Sequence, residues 1–290
     1  MRTVYLKGIL ICADDYGLHP DVDCAIVDLA KAGRLSAASV LVDAHGLRER
    51  ASWLDGLDLD VGLHLNLTER VGDLSDGDVE PSLGKLIVAC YARKIAPAWV
   101  SHAVARQFDA FERLFGRLPD YVDGHQHVHQ LPVVRTALIA ELQKRCDAVQ
   151  RRPWIRSTRS TRGLLATGVR QWFKSLVIES LGARAMERLA LSGGFACNRG
   201  FAGVYDFTRP AMPYGDLMQR WLDTCEMGSL IMAHPSRGLL SGDPVGQARL
   251  TEFQVLASER FMLWLAERSL ALVRPDQVLD PVSVNDSSRP

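Results

Sequence analysis

The sequence predicts a parallel α/β fold, a barrel or distorted barrel rather than an open sheet. Strand-like segments alternate with helix-like ones six or more times along 290 residues. No linker rich in Pro, Gly or Ser breaks that alternation, so it reads as one repeated β-then-α order, the signature of a parallel sheet. The number of repeats and the length together favour closure of the sheet.

The elements follow in order. Residues 4–12, "VYLKGILIC", are rich in β-formers and end at Asp14-Asp15. "HPDVDCAIVDLAKAG" has helical spacing and stops at Gly33, a residue suited to a helix C-terminus. "SAASVLVD" (36–43) is the second strand, and 45–56 fits a short helix. "LDVGLHLNLT" (59–68) alternates strictly: Val61, Leu63, Leu65 and Leu67 take one face, and Gly62, His64, Asn66 and Thr68 the other. Residues 69–95 read as a long loop with a short helix, forming a rim or lid. "PAWVSHAVARQFDAFERLFG" is an amphipathic helix ending at Gly116. "DYVDGHQHVH" is the expected fourth strand, 132–149 the next helix and 152–158 a fifth strand. Residues 165–191 are helical with a break at Gly182, and "SGGFACNRGFAG" reads as a Gly-rich loop. Pro213 opens a helix to about Glu226, "GSLIMAHPS" is a late strand, and 247–269 is a long helix. One domain spanning 1–290 is expected, with a polar tail at about 280–290.

Composition narrows the function classes. Hydrophobic residues make up 47% and charged residues 23%, ordinary for a globular protein, and the formal net charge is zero. With no polybasic tail or basic stripe, nucleic acid and anionic membranes are poor partners. The six cysteines form no C-x-x-C pair, which argues against a zinc ribbon and for reduced thiols in the cytoplasm. The N-terminal apolar run is broken by Lys7 and reads as a strand rather than a signal peptide. No stretch approaches 18 uninterrupted apolar residues, so no transmembrane helix is expected. The oligomeric state stays open, a homodimer among the options.

Active sites of parallel α/β folds collect at the carboxyl ends of the strands, and polar clusters fall there. Asp14-Asp15 ends strand one; adjacent residues there diverge, so one can bind a metal while the other accepts a proton. The plainer reading of the pair is a helix N-cap. His64 ends strand three. On the fourth strand, Asp123, His125, His127 and His129 would project from one face. A polar strand facing water is the plain alternative. Together these clusters supply two histidines and a carboxylate, a common divalent-metal set with open positions. His234, released after the apolar run "SLIM", could protonate a leaving group, or be a loop histidine with no role. Trp154, Arg156, Arg159 and Arg162 would either line a substrate mouth or be core and solvated face.

"ICADDYGLHPDVDCAI", "VGLHLNLT", "LPDYVDGHQHVHQLP" and "IMAHP" resemble, in order, the sequence blocks of the YdjC-like carbohydrate deacetylases. The resemblance spans about residues 9–235. It implies a distorted (β/α) barrel related to the polysaccharide deacetylases and metal-dependent removal of acetyl from an N-acetylated sugar. It places Asp15, His64 and His125 on the metal, Asp14 as base and His234 as the late-block histidine. Asp123, His127 and His129 would then orient ligands or base, or touch substrate. Two departures bear on substrate choice: Ser236 follows His234-Pro235 where relatives commonly have Gly, and Gln126 stands where some have histidine. The resemblance implies magnesium; two imidazoles and a carboxylate suit Zn²⁺, Co²⁺ or Fe²⁺ better.

Two rival readings stand beside this one. Another barrel metal hydrolase, an amidohydrolase or phosphoesterase, would usually carry H-x-H on the first strand; here that strand ends in Asp-Asp. A non-catalytic metal or sugar binder would need neither Asp14 nor His234.

Overall fold

The computed structural model describes residues 6–69, 81–146, 152–161, 168–210, 212–240 and 242–279. Its elements, in chain order, are β1 (Lys7–Tyr16), α1 (Pro20–Lys31), β2 (Ala37–Val40), α2 (Leu47–Arg50), β3 (Asp60–Leu65), α3 (Leu83–Tyr91), α4 (Pro97–Phe115), β4 (Tyr121–Gly124), α5 (Val134–Cys146) and β5 (Trp154–Ile155). There follow α6 (Val169–Ser180), α7 (Ala183–Ser192), β6 (Gly200–Ala202), α8 (Tyr214–Thr224), β7 (Ser229–Ala233), α9 (Gly246–Ala257), α10 (Glu259–Glu267) and β8 (Leu270–Leu272). The strands line up as β5-β4-β3-β2-β1-β7-β6, every pairing is parallel, and β8 joins the first half of β1.

The ring closes irregularly between β5 and β6. Isolated bridges join Ile155 to Cys197 and Ser160 to Phe201. Asn198 stitches the same seam with its side chain: it accepts from the Ser157 amide at 2.7 Å and donates to the Ser157 carbonyl at 2.9 Å. A side-chain amide thus replaces ladder bonds that two- and three-residue strands cannot make. The result is a distorted (β/α) barrel, as expected.

Alternation along β1 builds two cores. Ile9, Ile11 and Ala13 pack outward with the helices. Leu10 and Cys12 point inward with Ala37, Tyr121, Trp154, Phe201 and Leu230. Both faces are covered, so the strand reads as a continuous apolar run. Each fully buried Ile or Leu here contributes about 1.5–3 kcal/mol relative to exposure. On β3, Gly62 is required: a Cβ there would stand 2.4 Å from the Tyr121 ring. That ring stacks on Trp154 at 4.1 Å, and the Trp154 indole donates to Asp60 at 2.9 Å.

Several sequence expectations are corrected. The fourth strand stops at Gly124, and residues His125–Gln130 form a tight turn kinked at Gln126 and His127 instead. The fifth strand is two residues long. The Gly-rich loop contains β6. The long C-terminal helix is two, with Ser258 capping the second. The N-cap of α1 is His19, so neither Asp14 nor Asp15 serves as the cap. Part of the expected rim loop, Arg162 and the polar tail lie outside the described residues. Among the described residues no helix is long and apolar enough to cross a membrane.

Candidate active site

At the carboxyl ends of β1, β3, β4 and β7 the barrel opens into a cavity of about 540 Å³, lined among others by Asp14, Asp15, His64, His125, His127 and His234. That size is ordinary for a small-molecule site. Backbone irregularity makes it. The β1 register shifts between Ala13 and Tyr16, and Asp15 adopts φ +70°. Such a left-handed residue costs about 1–2 kcal/mol unless it is glycine, and Asp tolerates it better than most. The kink lets two neighbouring carboxylates serve different partners.

After β4 the chain turns. Gln126 and His127 both take positive φ, and Gly124 allows the His129 amide to approach where a Cβ would be 2.7 Å away. The histidines therefore part company, against the common face expected of a strand. His125 reaches Asp15, with Nδ1 3.1 Å from Oδ1. His127 lines the cavity and sets its ring edge-on to Phe201 at 5.5 Å. His129 is fully buried, and its Nε2–H donates to the Arg156 carbonyl at 2.9 Å. Burial pushes His129 down to about 4, so it stays neutral and acts as a prop for the Arg156 backbone.

His64 arrives from β3 with Nε2 3.4 Å from Asp15 Oδ1, while its Nδ1 lies 2.6 Å from Asp123 Oδ1. A carboxylate behind a histidine fixes tautomer and ring plane, as around metal ions. Asp15 Oδ1, His64 and His125 present ligand atoms mutually within 4.8 Å. Ligands about 2.0–2.2 Å from one ion stand roughly 3–3.5 Å apart, so the observed 3.1 and 3.4 Å fit a shared cation.

A second group, Cys12, Asp14 and Asp123, is equally close-knit. Its cation is already there: Arg156 is fully buried and donates to both oxygens of Asp14 at 2.6 and 2.7 Å, with Asp123 Oδ2 at 2.6 Å. Burial would raise the Asp14 pKa, but the guanidinium outweighs it and holds the carboxyl well below the usual range. His234 Nε2 stands 3.9 Å from Asp14 Oδ2. Burial drives this imidazole down to about 4, against the pull of Asp15 and Asp14.

The sequence pattern does not single out Arg249, Glu69 or Glu252, yet all three bear on the site. Arg249 on α9 is buried, donating to Asp15 Oδ2 at 2.8 Å and to Asp243 at 2.7 Å. Burial raises Asp15, yet Arg249 and the two histidines hold it well below the ordinary carboxylate range. Glu69 Oε2 lies 3.1 Å from His125 Nε2. Arg249 and Glu252 are charged residues three apart on the buried face of α9, which is the pattern that could have exposed them. Trp154 belongs to the inner core, outside the described lining of the cavity, contrary to a place at the substrate mouth. Arg159 pairs with Glu187 and is half-exposed. Asn66 also turns inward on structure: its side-chain Oδ1 accepts from the amides of Thr68 and Glu69.

Metal uptake should depend on pH. Burial lowers both imidazoles. Asp123 outweighs this and raises His64 to about 10; Asp15 and Glu69 raise His125 to about 9. Raised values add stability that is complete below the unfolded histidine pKa of about 6.5 and is lost as pH climbs through 9 to 10. A cation held by these two imidazoles would have to displace those protons, so its affinity should rise with pH up to that range, with up to about two protons released per ion at pH 7.5. Calorimetric titration in buffers of different ionisation enthalpy counts them. A pH-independent affinity would remove these imidazoles as ligands.

The family model described as YdjC-like protein matches residues 8–267. The chain belongs to the YdjC-like family. It is similar to a carbohydrate deacetylase of Mus musculus, 29% identical over 97% of this chain and 96% of that one. A chitooligosaccharide deacetylase of Escherichia fergusonii is 29% identical over 43% of this chain and 52% of its own length. Among solved structures, a candidate cellobiose-phosphate cleavage protein of Enterococcus faecalis superposes with TM-score 0.64 at 17% identity, covering 95% of this chain and all of that one. A peptidoglycan N-acetylglucosamine deacetylase gives TM-score 0.50 at 12% identity, covering 94% and 89%. These two likenesses concern the fold alone.

Proposed function

We propose that this YdjC-like protein is a metal-dependent carbohydrate N-deacetylase, hydrolysing the acetamide of an N-acetylated sugar to acetate and a free amine. The observation that carries this is the meeting of Asp15, His64 and His125 beside a separate Asp14–His234 pair in one cavity. The names of its relatives support it.

Asp15 Oδ1, His64 Nε2 and His125 Nδ1 would hold one divalent ion. When bound, such an ion polarises the acetyl carbonyl and lowers the pKa of water. The protein's own residues then move the proton. Asp14, kept ionised and oriented by Arg156, takes it from the attacking water at Oδ2. Its very low pKa makes it a brief carrier, and His234 Nε2, 3.9 Å away, is the more basic neighbour. His234 passes the proton to the leaving amine nitrogen, which could not depart as an anion. Two imidazoles and a carboxylate favour Zn²⁺ or a similar transition metal over Mg²⁺ on donor chemistry, and family likeness favours Mg²⁺. Six cysteines spread along 290 residues with no C-x-x-C pair fit a reducing, cytoplasmic setting.

Acetate release from a panel of N-acetylated mono- and oligosaccharides tests this. Release should stop after chelation and return with one of Mg²⁺, Zn²⁺ or Co²⁺. Activity untouched by chelation overturns the metal's part, and phosphate release without acetate release overturns the deacetylase reading.

A further inference from the structure

Beyond the residues that would touch substrate lies a buried hydrogen-bonded chain. Glu252 on α9 is 1% exposed and Tyr205, in the segment after β6, is 3% exposed. Tyr205 Oη donates to Glu252 Oε1 at 2.6 Å, and the main-chain amide of His234 donates to Glu252 Oε2 at 2.5 Å. We propose that Tyr205 and Glu252 form a relay that sets the position of the His234 imidazole over Asp14, and that both are positioning residues for the proton transfer.

The argument starts at the end of β7. Ala233 is the last residue of that strand in register with β1, opposite Ala13. Beyond it the sheet no longer dictates where His234 points. The His234 ring does little to anchor itself: Nδ1 is buried without a hydrogen-bond partner among the described residues, and Nε2 is 3.9 Å from Asp14. Its placement therefore falls to the main chain and the ring wall. Glu252 holds the main chain. Phe207, two residues after Tyr205, sets its ring edge-on to His234 at 5.2 Å and lines the cavity. One short segment thus fixes His234 twice, once through Glu252 and once directly.

A plain structural acceptor for one amide could be a carbonyl or a glutamine. A buried carboxylate is a costlier choice, and burial does push Glu252 up to about 7, against the His234 amide and Tyr205. What it provides is two acceptor oxygens on one side chain, so that Tyr205 and the His234 amide are tied to a single anchor. Reacting groups misplaced by about 1 Å can lose on the order of a hundredfold in rate, so stiffness at this amide has a kinetic use.

This inference rests on the deacetylase reading, and its test separates the two. Glu252→Leu, Glu252→Gln and Tyr205→Phe are compared in the metal-loaded full chain. Measurements are acetate-release kinetics, bound metal, and the ring signals of His234 in histidine-labelled protein without substrate. Glu252→Leu should lower kcat by ten- to a hundredfold, leave KM within about twofold and leave bound metal unchanged. Glu252→Gln keeps an acceptor and should restore kcat to within about threefold of wild type. Tyr205→Phe should fall between them. The His234 ring signals should shift in the Leu variant and stay near wild type in the Gln variant. Wild-type kcat in Glu252→Leu, equal losses in the Leu and Gln variants, or joint loss of kcat, KM and metal would each overturn the relay. If the Leu variant does not fold, wild-type kcat and unshifted ring signals in Tyr205→Phe overturn it instead. Should wild type release acetate from no substrate, the proposed function fails while the ring signals still decide the relay.

Discussion

With Asp14 replaced by Asn, kcat for acetate release should fall by roughly a hundred- to ten-thousandfold, the range for loss of a positioned general base. Bound metal should be unchanged. The two effects separate because the two aspartates have separate partners. Asp15 faces His64, His125 and Arg249; Asp14 faces Arg156 and His234. Asn keeps the volume and one acceptor for Arg156 but turns an NH₂ toward a donor, which should cost on the order of 1–3 kcal/mol. The pH dependence of that cost follows from its sign. The folded-state pKa of Asp14 lies below the unfolded value, so its contribution is complete above about pH 4 and disappears only as pH falls through the folded value. The stability gap between wild type and variant should thus be level from about pH 5 upward and narrow toward pH 2. Undiminished kcat in this variant would take Asp14 out of the chemistry; loss of bound metal would merge the two aspartate roles.

How far the sequence reveals such roles depends on whether local pattern and final geometry coincide. On β3 they do: Val61, Leu63 and Leu65 enter the outer core, and His64 points inward, as strict alternation requires. In the histidine run they do not. Asp123, His125, His127 and His129 alternate like a strand, yet left-handed backbone at Gln126 and His127 curls the segment. The three histidines then separate: His125 faces Asp15, His127 faces the cavity, and His129 props Arg156. Residue identity gave the chemistry, and the turn gave the assignment. The turn was hidden because distant partners hold it, His129 on the Arg156 carbonyl and His125 on Asp15, while Gly124 leaves the room the turn needs. Arg249 and Glu252 were hidden for another reason. A charged residue on a helix is ordinarily read as solvated, and only packing of α9 over the β1 and β7 ends buries these two. The short β6 was illegible and β5 was read too long, since the Asn198 side chain supplies part of their ladder.

Arg156→Met should be the most destabilising single change in the barrel, by about 3–5 kcal/mol, out of a total of roughly 5–15 for a typical domain. Arg156 is fully buried between two carboxylates, Asp14 and Asp123, and its fork engages both. Met fills much of the same space, so the loss is electrostatic: Asp14 would lose its guanidinium and Asp123 would keep His64 beside it. Asp14 must then take up a proton, its pKa moving from below the unfolded value to above it. An acid whose folded pKa is raised destabilises at pH above the unfolded value, so the deficit should be larger at pH 8 than at pH 5. Arg156→Lys keeps the charge but loses the fork, and one ammonium cannot serve both acids in the same geometry. It should recover most of the stability and little of the activity, because Asp14 would be ionised yet no longer held at its present angle to His234. Urea unfolding of the three proteins at both pH values, beside their acetate-release rates, checks this. Equal stability of the Met variant and wild type would mean that Asp14 and Asp123 do not share their buried charge with Arg156, and an active Lys variant would mean that the fork does not aim Asp14.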